Sequence, residues 1–195
     1  MSVGENLRFA ASSIIFNERN SVANIISNAN TTQCTITMSR NSELSIAEGY
    51  SISGKITVGL NSKIIIGIDF TVTSNITFRT VESTKIDIGD DYLFGSDIII
   101  RTTDGHPIYN AHTKKRINLS QSITIGKHVW IADRAVVLKG ASLGNASVLG
   151  VGSVPTNKIG AHSVAVRNPA KVVKSDITWE RSPNIRSEEF YFNEE

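Results

Sequence analysis

Aliphatic side chains recur at every sixth position through residues 125 to 154. The repeated positions are Ile125, Ile131, Val137, Leu143 and Leu149. The residue four positions after each of them is small or slim: Val129, Ala135, Ala141, Ser147 and Ser153. A six-residue period fits neither the 3.6-residue turn of a helix nor the alternation of a long strand. It predicts short strands joined by tight corners, with stacked triangular turns that hydrogen-bond at about 4.8 Å. The expected fold is an all-β parallel β-helix of hexapeptide repeats.

The same period is present before this stretch, but it shifts twice. Its aliphatic positions are Ile46, Ile52, Val58 and Ile64, then Ile66, Val72 and Phe78, then Ile88, Phe94 and Ile100. The residues four positions later are often bulky, so we expect wider N-terminal coils: Tyr50, Ile56, Phe70, Ile76, Tyr92 and Ile98. Arg79, Lys85 and Asp87 have no spacing that suggests more than a solvated face. Residues 1–45 show uneven apolar spacing, which predicts irregular early coils or, alternatively, a short capping helix over residues 7–15.

The repeat stops over residues 101–122. This segment contains Asp104-Gly105, a proline and a basic triplet, which are typical of a loop. A loop of this length within a regular repeat is usually functional or disordered. From the residues alone, His106 is either a catalytic base or a turn residue, with His112 as its competitor in the same loop. Asp104 could bond the His106 ring and fix its tautomer, or simply open the Asp-Gly turn.

Trp130 directly follows the inward position Val129, so its side chain should point out of the prism. Val148 occupies the same outward column one coil later. An exposed Trp beside Val leaves apolar area in water, so we expect a second subunit or a ligand to cover it. His128 falls on a corner, where a solvated side chain is the expectation.

Composition and charge bear on whether the protein binds nucleic acid, membranes or metals. The 195 residues suit one domain with a tail, and a net charge of +2 with 19% charged residues gives no general argument for nucleic acid or membrane binding. The single cysteine, Cys34, is expected in the core. The chain start lacks a basic and apolar leader, and no apolar run approaches the roughly 18 residues that span a bilayer. We therefore expect a cytoplasmic protein without a membrane span. No His, Cys or carboxylate cluster has metal-ligand spacing, so no metal is expected.

Three segments together resemble the hexapeptide-repeat acyltransferases, and within them the bacterial capsule and polysaccharide O-acetyltransferases, including those acting on polysialic acid. They are Ile100-Arg-Thr-Thr-Asp-Gly-His106, Gly126-Lys-His-Val-Trp-Ile131 and Asn168-Pro-Ala-Lys171. The resemblance covers about residues 85–179. It implies a left-handed prism, a homotrimer with active sites between subunits, and acetyl-CoA as co-substrate. It also implies that His106 is the general base and that Trp130 lies beside it in the catalytic site.

The predicted CoA contacts combine what the resemblance implies for residues 150–154, 156–158 and 168–171 with the local positive charge, which could otherwise be a solvated basic edge. They are Ala132, Val151, Thr156, Lys158, Arg167, Lys171 and Lys174. The last four are cations in a segment, 155–175, that has no acidic residue, which suits the phosphates of CoA. Arg167 stands where the family usually has glycine, and Pro155-Thr-Asn-Lys158 stands where it usually has Val-Thr-Lys.

The cations of the 101–122 loop predict an acidic acceptor. Arg101, Lys114, Lys115 and Arg116 stand against the single acid Asp104. They should attract a sialic or uronic acid, although they could instead reach CoA phosphates of a neighbouring subunit.

These observations predict a β-helix domain over residues 1–175 and a tail over residues 176–195 in which Trp179 packs on the last coil. The predicted function is O-acetylation of a surface polysaccharide, a glycan acceptor, with no nucleic acid partner. Two alternatives stay open. One is a nucleotide-sugar N-acetyltransferase, and the other is a noncatalytic β-helix that binds a partner.

Overall fold

A computed structural model of the protein describes residues 2–3, 7–184 and 186. These residues form nineteen strands and no helix. The strands are β1 (Ser2–Val3), β2 (Leu7–Ala10), β3 (Ser13–Phe16), β4 (Val22–Ile25), β5 (Ala29–Met38), β6 (Glu43–Ile46), β7 (Tyr50–Val58), β8 (Lys63–Ile66), β9 (Phe70–Thr80), β10 (Lys85–Ile88), β11 (Tyr92–Arg101), β12 (Ile123–Ile125), β13 (Trp130–Ile131), β14 (Val136–Val137), β15 (Ser142–Leu143), β16 (Val148–Leu149), β17 (Lys158–Ile159), β18 (Val164–Val166) and β19 (Lys171–Lys174).

The strands stack in two sheets that build a triangular prism, and the described strand pairs are parallel except β18 with β19. An eight-stranded sheet in the order β1-β4-β6-β8-β10-β12-β15-β17 forms face 1. The eleven-stranded sheet supplies two faces, because the long strand β11 pairs with two short strands of the next turn, β13 and β14, and β5 pairs with two of the previous turn, β2 and β3. Face 2 holds the first half of β11 with β13, β16 and β18, and face 3 holds the second half of β11 with β14. The predicted parallel β-helix is confirmed.

Three corners join the faces of the prism. In the turn that contains Trp130, residues 126–129 join face 1 to face 2 at the strap corner. Residues 132–135 join face 2 to face 3 at the third corner, and residues 138–141 return to face 1 at the loop corner. Face 2 therefore lies across the prism from the loop corner.

The hexapeptide positions point into the prism as predicted. Ile66, Ile88, Ile125 and Leu143 are direct register partners along face 1, and all are buried. The small positions Ala135, Ala141, Ser147 and Ser153 are buried as well. In the preceding coils the bulky residues fill the axis, where Phe70, Phe78, Tyr92 and Phe94 make edge-on and tilted ring contacts. The larger side chains explain why these coils use more residues per turn.

The strap corner has a column of left-handed backbone conformations. Its members, with φ between 51° and 58°, are Asp69, Asp91, His128, Ala146 and His162. Asp, Asn and His tolerate this region better than most residues, which suits them to a tight corner. Successive members are linked by backbone bonds from one coil to the next, such as His128 N to the Asp90 carbonyl at 2.9 Å.

The first coils are more regular than their spacing predicts. Residues 7–15 lie in β2, in β3 and in the turn between them, so the alternative of a capping helix is wrong. Both strands pair in parallel with β5, because the backbone ladder compensates for the uneven side-chain pattern. Cys34 is buried as expected, and burial raises the pKa of its thiol to about 11. In the described ranges, no helix is long and apolar enough to cross a membrane.

The C-terminal segment reverses direction after the last coil. Strand β19 pairs antiparallel with β18, and residues 176–184, called here the strap, then run back along the strap corner. Ile177 N bonds to the His162 carbonyl at 3.1 Å, and the side chain of Arg181 reaches Asp91 at 2.7 Å. The expectation that Trp179 covers the last coil is wrong, because it binds at His128, further down the prism. The predicted tail beyond residue 186 lies outside the described residues.

Candidate active site

The 101–122 loop is a compact hairpin at the loop corner. Ile117 N donates to the Ile108 carbonyl at 2.9 Å, and Asn110 N donates to the Lys115 carbonyl at the same distance. At the tip, the Asn110 side chain accepts the backbone N–H groups of His112 and Thr113. Such a turn satisfies its own backbone groups, so the loop has a defined shape although most of its residues are exposed.

Glu82, at the loop corner one turn earlier, anchors the hairpin. Its carboxylate accepts two parallel bonds from the Arg116 guanidinium, at 2.8 and 3.0 Å, and one from the Ser120 hydroxyl at 2.6 Å. The Arg116 bonds, followed by the Ser120 bond, lower the pKa of Glu82 to about 2. Arg116 was expected to bind substrate, but the structure engages its guanidinium in this ion pair.

Asn118 is almost fully buried, and its side chain hydrogen-bonds to three other residues of the loop. Its amide Nδ2 donates to the His106 carbonyl at 2.8 Å and to Asp104 Oδ2 at 3.0 Å. Its Oδ1 accepts the Ile108 N–H at 2.6 Å. One side chain therefore holds the Asp104 carboxylate, the His106 carbonyl and the Ile108 N–H.

The Asp104 carboxylate is held by other groups than the His106 ring. Lys139 Nζ lies 2.5 Å from Asp104 Oδ2, and with Asn118 it holds the pKa of Asp104 below its ordinary value. Since Lys139 belongs to the next turn, this ion pair ties the loop to the coil above it. In the described part of the chain, the exposed His106 imidazole has no hydrogen-bond partner, so both ring nitrogens are accessible.

Trp130 points out of face 2, as predicted. It pairs in register with Val148 and keeps 38% of its surface exposed. The strap covers one side of it, because the Trp179 ring lies 6.0 Å from the Trp130 ring at an angle of 47°. The exposed remainder is available to a ligand or a second subunit.

His128 was expected to be a solvated corner residue, and that expectation is wrong. The side chain is 2% exposed, with Nδ1 at 2.5 Å from Asp91 Oδ2 and Nε2 at 2.7 Å from the Trp179 carbonyl. Both ring nitrogens therefore face oxygen atoms, a carboxylate on one side and a backbone carbonyl on the other. The bond from His128, followed by those from Arg181, lowers the pKa of Asp91.

The structure divides the predicted site residues between two sides of the prism. His106, Asp104 and the loop cations lie at the loop corner. Thr156 and Lys158 also lie on this side, between Pro155 on face 3 and the start of β17. The other side comprises Trp130 on face 2, Ala132, Val151 and Arg167 at the third corner, and Lys171 and Lys174 in β19. Within one chain, His106 and Trp130 are therefore not brought together, and the four expected phosphate-binding cations do not form one cluster.

The known proteins that are similar to this chain in sequence and in structure are acetyltransferases. No family model matches the sequence. A polysialic acid O-acetyltransferase of Escherichia coli O1:K1 is 32% identical over 137 residues, which are 70% of this chain and 44% of that protein. The galactoside O-acetyltransferase of Escherichia coli K12 is 33% identical over 133 residues, which are 68% of this chain and 61% of that protein. The crystal structure of the polysialic-acid-specific acetyltransferase NeuO matches 95% of this chain and 79% of its own, with 32% identity and a TM-score of 0.90.

The chain belongs to the hexapeptide-repeat acetyltransferases. It spans about half the length of the curated relatives that it matches, 44% and 61% in the two cases.

The third corner fits the acetyl-CoA that this family implies as co-substrate. Val151 is 59% exposed, and the space where a side chain of Gly152 would project is open to 4 Å. Arg167 adopts φ 88°, the conformation for which glycine is usual, and its exposed side chain stands beside this open corner. Within residues 2–3, 7–184 and 186, no three His, Cys, Asp or Glu side chains group to hold a metal ion.

Sequence reasoning missed Asn118 and Lys139, and it expected Trp179 on the last coil and not at His128. Each acts across a long sequence separation, and none belongs to a motif with its partner. Asn118 carried the weakest signal, because a polar residue between apolar Ile117 and Leu119 resembles ordinary strand alternation.

Proposed function

We propose that this protein is an acetyl-CoA-dependent O-acetyltransferase that modifies a hydroxyl group of a surface polysaccharide, either capsule or O antigen. The observation that carries the proposal is the match to NeuO over 95% of the chain. The name of the first relative adds an acidic polymer, polysialic acid, as the class of acceptor. A cytoplasmic site of action is part of the proposal.

His106 acts as the general base in this proposal. An acceptor hydroxyl loses its proton to a ring nitrogen while its oxygen forms a bond to the thioester carbonyl carbon of acetyl-CoA. The carbon–sulfur bond then breaks, and the proton passes from His106 to the departing thiolate, which leaves as the free thiol of CoA. A neutral imidazole suits this role at neutral pH. Its exposed ring and the Asn118 bond to its backbone support the assignment, since the base is accessible and its main chain is fixed.

Each active site is shared between two subunits of a homotrimer. The support is geometric, because one chain presents His106 at the loop corner and Trp130 across the prism on face 2. A rotated copy that docks its face 2 against the loop corner completes the site, and a closed threefold ring repeats this contact. Thr156 and Lys158 then bind CoA from one subunit, while Ala132, Val151, Arg167, Lys171 and Lys174 bind it from the other.

The loop cations form the entrance for an acidic acceptor. Lys114 and Lys115 lie at the exposed tip of the hairpin and have no ion-pair partner in the described residues. Such unpaired cations raise the local concentration of an anionic glycan. Arg101 contributes from the base of the loop, whereas Arg116 contributes by holding the loop in place.

The test is release of free thiol from acetyl-CoA in the presence of sialic acid oligomers, galactosides and amino sugars. We expect turnover with hydroxyl acceptors, and we expect His106→Ala to lower kcat by about 10² to 10⁴ with nearly unchanged affinity for acetyl-CoA. Turnover only with a free amino group would support an N-acetyltransferase instead. No turnover together with no CoA binding would support a noncatalytic protein, and a fully active His106→Ala variant would remove His106 as the base.

A further inference from the structure

Two arginines stand side by side on the outer surface of face 3. Arg79 of β9 and Arg101 of β11 are direct register partners, so their Cα atoms are about one strand spacing apart, roughly 4.8 Å. Both side chains point outward, since their neighbours in sequence, Phe78 and Ile100, are buried.

Neither arginine forms an ion pair with a described residue, although the charge of Arg101 contributes, after Lys139 and Asn118, to the lowered pKa of Asp104. No ion pair or side-chain hydrogen bond joins Arg79 or Arg101 to any other described residue, and Nε of Arg101 is buried without an acceptor. Like charges on directly opposite strand positions repel each other, and a buried donor without a partner is unfavourable. An anion bound between the two guanidinium groups removes the repulsion between them.

The surroundings compensate the charge of this pair only in part. The adjacent outward positions Thr57, Thr77, Ile99 and Val136 are uncharged, and Lys55 adds a third cation near the same column. Two acids lie close by at the loop corner, but Glu82 is bound to Arg116 and Asp104 is bound to Lys139. Face 3 therefore presents positive potential beside the loop.

The pair is directly continuous with the catalytic loop. Arg101 ends β11, and the next residue, Thr102, is buried and hydrogen-bonded to the Thr84 hydroxyl at 2.6 Å. This bond fixes the root of the loop that carries His106. Arg79 lies one coil further toward the N-terminal end, so the two charges extend away from His106 along the prism axis.

We propose that Arg79 and Arg101 form an anion site that binds the carboxylate of an acidic sugar next to the one that is acetylated. Guanidinium groups bind carboxylates through paired hydrogen bonds, and two stacked groups can share one anion. The proposal rests on the proposed function and adds a second acceptor subsite to it. A CoA phosphate has the same chemistry, so the experiment must separate the two sources.

The test compares Arg79→Gln and Arg79→Lys with Lys63→Gln, which removes the same charge from an exposed side chain on face 1. With sialic acid oligomers as acceptors, Arg79→Gln should raise the acceptor KM about tenfold, because a charged hydrogen-bonding partner is lost. Arg79→Lys should recover part of this loss, and Lys63→Gln should behave like the parent protein. The KM for acetyl-CoA should not change in any of them.

The carboxylate is tested with the same oligomers after reduction of their carboxyl groups to alcohols. For this neutral acceptor, parent and Arg79→Gln proteins should have equal KM values. With the acidic acceptor, added salt should weaken the parent more than the variant. Thermal melting of each variant checks that the fold is retained.

Each result decides between the possibilities. If the parent acetylates the oligomers and Arg79→Gln keeps the same acceptor KM, the anion site is wrong while the proposed function stands. A rise in the KM for acetyl-CoA alone assigns the anion to CoA and overturns the carboxylate proposal. If the parent has no activity, the proposed function fails, and titration calorimetry with the oligomers still tests the site, because equal affinity of parent and Arg79→Gln overturns it.

Discussion

The indole of Trp179 lies parallel to the imidazole of His128, with ring centroids 4.2 Å apart and planes 8° apart. The indole N–H donates to the His128 carbonyl at 2.8 Å, and the Trp179 carbonyl lies 2.7 Å from Nε2 of the same histidine. The strap is thus joined to the coil two residues before Trp130. Arg181 continues the attachment through Asp91 and the Tyr92 carbonyl.

We expect Trp179→Ala to release the strap and to loosen the support of Trp130. The loss of a buried Trp costs up to about 3 kcal/mol here, since the strap can detach before the prism unfolds. Denaturant unfolding and limited proteolysis measure the two effects, and kcat should fall because Trp130 loses its neighbour. Val173→Ala, at an exposed position of β19, is the control and should change neither. Unchanged proteolysis of Trp179→Ala would contradict this role of the strap.

The ion pair between Glu82 and Arg116 predicts a pH dependence of stability. The pKa of Glu82 is lowered from 4.5 to about 2, so its contribution is complete above pH 4.5 and disappears as the pH falls toward 2. Glu82→Gln should therefore melt below the parent at about pH 6, and the difference should shrink through this window. Glu48→Gln, at an exposed carboxyl with no ion pair in the described residues, is the control and should melt like the parent at about pH 6. If the difference in melting temperature between Glu82→Gln and the parent stays constant down to pH 2, the prediction is wrong.

The fold could be predicted from the sequence because each turn repeats the same six-residue spacing of aliphatic residues. Ile125, Ile131 and Val137 predict their own burial, and Trp130 follows from their register. Partners such as Asn118 with His106, or Trp179 with His128, are set by where the chain returns after a loop or a reversal. No local period encodes those contacts, so the expectation of a solvated His128 was wrong while the outward Trp130 was right.

The hydrogen bonds that the Asn118 side chain makes within the loop predict a loss of activity when its amide is removed. Asn118→Ala deletes the bonds to the His106 carbonyl, Asp104 and Ile108 N–H, so the loop should lose its fixed shape and kcat should fall about tenfold or more. Asn118→Asp has the same size but places a carboxylate against Asp104, and it should be at least as harmful. Asn30→Ala, at an exposed strand position, is the control. Parent-like kcat in both Asn118 variants would exclude a positioning role.

The lysines at the hairpin tip should act on the acceptor and not on the fold. Replacing Lys114 and Lys115 by Gln should raise the KM for an acidic acceptor and reduce its salt dependence, with an unchanged melting temperature. Arg116→Gln should instead lower the melting temperature, because it releases Glu82. If the lysine variant changes only the KM for acetyl-CoA, these charges serve the co-substrate.

The shared active site can be tested by mixing two inactive chains. His106→Ala chains retain Trp130, and Trp130→Ala chains retain His106. If a site takes His106 from one subunit and Trp130 from its neighbour, every mixed trimer contains one intact pair. Random assembly of equal amounts then restores about a quarter of the parent activity, since most trimers are mixed and each gains one site of three.

Coexpression of the two variants with different affinity tags, followed by purification through both tags, isolates the mixed assemblies. We expect sedimentation to show a trimer and the doubly purified protein to be active, while each variant alone is nearly inactive. Assemblies that carry both tags but have no more activity than the separate variants would show that His106 and Trp130 do not meet across an interface. That outcome would leave the two sides of the prism without a common function and would require a different partner for each.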